Sequence, residues 1–109
     1  MQKKLPEDLI ERIQKLISAL GKKGVKIEHA YLFGSYARND YLKTSDIDVI
    51  LVSDSWKDLP MLKRMDIVNK VLWRENMEKI EVIPVTSREL NEKKSVVLRD
   101  ASRYWIKIA

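Results

Sequence analysis

Apolar residues recur at three- and four-residue spacings near the start of the chain, at Leu9, Ile10, Ile13, Leu16, Ile17 and Leu20. That period marks one face of an amphipathic helix. Pro6, Glu7 and Asp8 supply its start and Gly21 and Gly24 its stop, so the stripe is read as core. Val25 to Phe33 then reads as a first strand. A second apolar run, Ile47 and Val49 to Val52, predicts a strand over Asp46 to Ser53, followed by a loop to Pro60. Met61 to Arg74 returns to helical spacing, with Leu62, Met65, Ile67 or Val68, Val71 and Leu72 expected to face inward. Lys79 to Val85 predicts a third strand. Thr86 and Glu89 have the spacing of a capping box, in which each satisfies a backbone group of the other at a helix start. Ser95 to Ala101 is expected to be helical, and Tyr104 to Ile108 alternates weakly, as an edge strand or a continued helix. These elements predict an α/β (α+β) fold, a small mixed β-sheet with helices packed mainly on one face.

The chain has 109 residues, the usual size of one domain, so a single domain is expected over 1–109. Apolar residues make up 45% and charged residues 34%, a globular balance. There is no cysteine, which excludes a disulfide framework, a thiolate metal site and a cysteine nucleophile. The one histidine, His29, lies in the first predicted strand and lacks the companions a zinc site needs. No apolar stretch reaches membrane-spanning length and the N-terminus runs into the amphipathic helix, so a cytoplasmic protein is expected. The formal charge of +5 suits an anionic ligand. Its lysines are scattered, however. Lys22-Lys23 and Lys93-Lys94 read as solvated helix ends, and direct nucleic-acid binding is not expected.

The candidate chemistry lies between residues 34 and 48. Asp46 and Asp48 open the second strand two residues apart, on one face, roughly 6 to 7 Å apart along the backbone. Two like charges so placed repel each other. A divalent cation removes the conflict, and magnesium in particular is held by one or two carboxylates together with substrate phosphates. The other half is a strand, Tyr31 to Phe33, ending in the turn Gly34-Ser35, with Ser35 to Asn39 as a short helix. Glycine admits phosphate close to the backbone, and the N–H groups of a helix start attract it. Ser35 could add a hydroxyl donor, or simply cap the helix. Arg38, one turn on, could neutralise phosphate or pair with Asp40 or Asp46. Trp56, Tyr41, Trp73 and Trp105 are candidates for base stacking or partner contact, although large aromatics more often fill a core.

Gly34-Ser35, the stretch Tyr36 to Ser45 and Asp46-Ile47-Asp48 together resemble the signature of the nucleotidyltransferase superfamily related to DNA polymerase beta. Within it, the likeness is to the minimal, stand-alone members that pair with HEPN-type toxins. The resemblance extends to the preceding helix and strand and to a later strand with a third acid. Glu81, an acid in the otherwise apolar run Ile80 to Val85, occupies the position where the family usually has aspartate. Its additional methylene changes the reach toward a metal.

The resemblance implies transfer of a nucleoside monophosphate, most plausibly AMP from ATP, to a hydroxyl acceptor. Asp46, Asp48 and Glu81 would be catalytic and would hold one or two Mg2+ ions, and Gly34, Ser35 and Arg38 would bind the nucleotide. The implied partner is a helical HEPN toxin, adenylylated on a tyrosine or occluded, with this chain as antitoxin. Self-association is left open. Two other readings stand beside it: an antitoxin that binds without chemistry, which the glutamate at position 81 makes credible, and a nucleotidyltransferase for aminoglycoside-like small molecules.

Overall fold

The computed structural model describes residues 7–34, 46–92, 99 and 105–108. The element order is α1 (Glu7–Lys22), β1 (His29–Phe33), β2 (Ile47–Val52), a 3-10 turn (Asp54–Trp56), α2 (Met61–Arg74), β3 (Ile80–Val85), α3 (Ser87–Glu92) and β4 (Ile106–Lys107). The four strands form one mixed sheet in the order β3-β2-β1-β4. β1 runs antiparallel to β2 and to β4, whereas β2 and β3 are parallel and joined through α2. A parallel pair requires such a crossover, because a tight turn can only reverse the chain.

The period-two alternation of the strands sorts their side chains into two layers. Ala30, Leu32, Ile47, Val49, Leu51, Ile80 and Val82 meet Leu9, Ile13, Leu16 and Leu20 of α1 and Val68, Val71 and Leu72 of α2 in the main core. The opposite face carries Ile50, Val52 and Val85 packed with Leu90 of α3, and Tyr31, Phe33, Ile83 and Trp105 beside them. β2 is covered on both sides, as its nearly continuous apolar run requires. The predicted α1 stripe is therefore core, with Ile10 and Ile17 at its margin.

The capping box forms as read: Thr86 Oγ1 accepts from the Glu89 amide at 3.2 Å, and Glu89 Oε1 accepts from the Thr86 amide at 2.8 Å. Tyr104 to Ile108 contributes a short edge strand over Ile106–Lys107. The first strand is shorter than predicted, beginning at His29. The expectation for α2 needs a larger correction, because Leu62 is 85% exposed and the buried residue of that turn is Arg64. Arg64 is accepted there because its head is satisfied: Nε donates to Leu59 O at 2.8 Å, and Nη1 to Pro84 O at 3.2 Å and Glu89 Oε1 at 2.6 Å. Among the described residues, no helix is long and apolar enough to cross a membrane.

Candidate active site

The register of the sheet assembles the acids. Phe33, the last residue of β1, is opposite Asp48, and Asp48 is opposite Glu81 across the parallel pair, so the three lie in one row. Side chains in register across neighbouring strands share a face and stand about 5 Å apart at Cβ. Asp48 and Glu81 therefore project from the sheet face opposite α1 and α2. Asp48 is half-buried, whereas Asp46 and Glu81 are exposed. Asp46 immediately precedes β2 at the same end of the sheet, where the Ile47 amide donates to Lys79 O at 2.7 Å and ties the starts of β2 and β3 together.

Gly34 closes the row on the β1 side. Its φ is +72°, in the region that glycine enters freely and L-residues rarely do, and a Cβ built there would lie 2.3 Å from Asp48 Oδ2. The space above this glycine is thus already used by the carboxylate, and the backbone of the turn lies directly against Asp48. Ser35 and Arg38 fall outside the described residues, as do Tyr41, the predicted helix at Ser35 to Asn39 and, apart from the helical Arg99, the one at Ser95 to Ala101.

A cleft of about 500 Å³ opens along this row, lined by Phe33, Asp48 and Glu81 and by Met65 and Asn69 of α2. Sequence reading assigned Met65 to the interior and gave Asn69 no role. The signal for Asn69 was its position four residues after Met65, which puts both on one helix face. The aromatic candidates separate. Trp56 is fully buried and its indole donates to Leu51 O at 3.2 Å, so it is core. Trp105 stacks on Tyr31 with ring centroids 4.8 Å apart. Trp73 stands 87% exposed on α2, one turn beyond Asn69. Arg88 of α3 pairs with Glu92 at 3.1 Å.

The donor set is all carboxylate oxygen. Among the described residues no three His, Cys, Asp or Glu side chains gather into a ready-made metal cage. Magnesium does not require one, since it keeps several water or phosphate ligands and takes only one or two carboxylates. A half-buried carboxylate pressed against a glycine turn, with a second acid in register beside it, fits that partial coordination.

Comparison with known proteins identifies the family and the fold. The family model described as nucleotidyltransferase domain matches residues 10–107. A candidate protein adenylyltransferase of Methanocaldococcus jannaschii is 35% identical over 71 residues, covering 65% of this chain and 67% of the relative. Another from the same organism is 31% identical over 78 residues, covering 69% and 74%. A candidate nucleotidyltransferase from Sulfolobus solfataricus shares the fold with a TM-score of 0.65 at 23% identity, over 90% of this chain and 77% of that one. A chain of a toxin–antitoxin crystal structure with AMP-PNP shares it with a TM-score of 0.59 at 21% identity, over 88% and 71%. At these identities the two structural likenesses concern the fold.

Proposed function

The chain belongs to the nucleotidyltransferase domain family, and from that membership we propose that it transfers AMP from ATP, or a nucleotide from another triphosphate, to a hydroxyl acceptor. The observation that carries this reading is the row Phe33–Asp48–Glu81 with Gly34 pressed on the Asp48 carboxylate. Asp46, Asp48 and Glu81 are the proposed ligands of one or two Mg2+ ions, and Gly34, Ser35 and Arg38 the proposed seat of the phosphates. Bound magnesium supplies neutralisation of the triphosphate and of the charge that grows on the leaving pyrophosphate. The residues of the chain position and deprotonate. Glu81, exposed at the mouth of the row, accepts the proton of the acceptor hydroxyl. The acceptor oxygen then bonds to the α-phosphorus, the bond from that phosphorus to the bridging oxygen breaks, and pyrophosphate leaves.

The acceptor in this proposal is a tyrosine of a helical HEPN-type toxin, with this chain as a one-domain cytoplasmic antitoxin. The names of the relatives as protein adenylyltransferases and the fold shared with a toxin–antitoxin structure support it. The test is incubation of the protein with labelled ATP, magnesium and the product of the neighbouring gene, followed by mass analysis. Addition of AMP to a partner tyrosine is the expected result. A tight complex with no added mass would instead establish an antitoxin that binds without chemistry.

Gly34→Ala provides a separate check on the turn. Positive φ and the clash with Asp48 are expected to cost about 1–2 kcal/mol of stability. They should also push the carboxylate out of the row, weakening magnesium-ATP binding by about tenfold or more. Thermal melting and titration with magnesium-ATP measure the two effects, and ATP affinity within about twofold of the parent would contradict the role given to the turn.

A further inference from the structure

We propose that the outer edge of β3 is a docking site for an extended segment of the acceptor protein, which adds to the sheet as a short fifth strand. The inference rests on the transfer reading and identifies how its substrate is held.

The hydrogen-bond parity of β3 carries the argument. Lys79 O accepts from the Ile47 amide at 2.7 Å, and Val85 O accepts from the Ser53 amide at 2.9 Å, so the odd-numbered positions bond toward β2. In a regular ladder the main-chain groups of the intervening residues Ile80, Val82 and Pro84 therefore point the other way. Among the described residues β3 is the terminal strand on that side, and no hydrogen bond occupies the outward groups of Ile80 or Val82. Pro84 has no N–H, and its carbonyl accepts from Arg64 Nη1 at 3.2 Å. The outward main-chain groups of Ile80 and Val82, residues 7% and 5% exposed, are thus unpaired, and the carbonyl of Pro84 is taken.

The cleft beside the acids reaches these two residues. It is lined by four consecutive β3 residues, Ile80 to Ile83, which belong to both faces of the sheet, with Met65 and Asn69 of α2 forming the far wall. Contact with consecutive residues of alternating orientation marks a groove along a strand's edge. Its outward amides and carbonyls recur at about 7 Å, the repeat of another extended chain. A nucleic acid or a small hydroxylated ligand has no matching series of amides. A strand placed there would set alternate side chains on the face of Glu81 and Asp48, about 5 Å from Glu81, which brings a hydroxyl to the proposed base. Glu81 on the edge and Pro84 in it are devices that discourage long pairing between copies of a chain. A ladder held to two residues suits a substrate that must leave.

The probe is a decapeptide of alternating threonine and valine with one central tyrosine, and a copy methylated at alternate backbone nitrogens. Because the change is in the peptide, no variant has to fold. With the full chain and magnesium-ATP, exchange of the Ile80 and Val82 amides measured by NMR is expected to slow at least about tenfold with the first peptide and not with the second. AMP addition to the tyrosine should fall by a similar factor on methylation. Equal protection or equal modification by both peptides, or no protection at millimolar peptide, would overturn the docking edge. So would slowing of the two amides by raised protein concentration alone, which would assign the edge to a second copy. Protection that methylation removes, without AMP addition to either peptide, would support the docking edge and overturn the transfer reading.

Discussion

Asp48→Asn is expected to lower AMP transfer about 10³-fold and to abolish the stabilisation of the protein by magnesium. The substitution keeps the shape of the side chain and removes its charge. Asp48 is the half-buried member of the acidic row, fixed between Phe33 and Glu81 by strand register and against Gly34 by direct approach. A metal clamp on a phosphoryl centre contributes several kcal/mol of transition-state stabilisation, and each ~1.4 kcal/mol is a factor of ten in rate. Loss of the best-held ligand should therefore remove about three decades. Neutralising Asp48 also relieves its repulsion with Glu81, the like charge in adjacent register. Magnesium should accordingly raise the melting temperature of the parent and have little effect on the variant, since a ligand stabilises only the state that binds it. Labelled-ATP turnover and melting curves with and without magnesium measure both effects. Turnover within about threefold of the parent would remove Asp48 from the proposed chemistry.

The acids were legible because their signal is local. A strand's period of two predicts Asp46 and Asp48 on one side, although β2 itself begins at Ile47, and Gly34 is the residue that a sharp, crowded turn after a strand demands. The partnership of Glu81 with Asp48 is a different kind of fact. It depends on the register of two strands separated by the whole of α2, and periodicity within either strand cannot supply it. Family resemblance indicated Glu81, and the parallel ladder sets it in register with Asp48. Arg64 was missed for the same reason. Within α2 it reads as one more exposed cation, and its acceptors at Leu59, Pro84 and Glu89 lie in three other segments. Leu62 was placed inward because the apolar period includes it, whereas the sheet meets α2 on the side of Val68, Val71 and Leu72. An amphipathic pattern defines a face, and tertiary packing decides how wide that face is.

That network yields the largest expected effect on stability. Arg64→Ala should destabilise the fold by about 2–4 kcal/mol, because it removes a buried side chain and takes a donor away from each of three acceptors. The Arg64 side chain is 7% exposed and that of Glu89 42%, so the Glu89 carboxylate keeps the Thr86 amide and can recover water, whereas the Pro84 carbonyl, bonded at a buried site, cannot do so as readily. Chemical denaturation at neutral pH measures the loss, and a change below about 0.5 kcal/mol would show that the guanidinium does not brace α2 against the end of β3. The pH dependence identifies the same contact. Burial pushes the Glu89 carboxyl up, but the Arg64 hydrogen bond, the Thr86 amide and the Arg64 charge together carry it below its ordinary value of 4.5. A carboxyl depressed by folding binds its proton more readily in the unfolded chain, so its contribution is present above the unfolded pKa and is lost as pH falls through the lower folded one. The parent should therefore lose part of its stability in acid below about pH 4.5, and Glu89→Gln should flatten that part of the profile. An acid limb identical in parent and Glu89→Gln would mean that Arg64 acts through the Leu59 and Pro84 carbonyls alone.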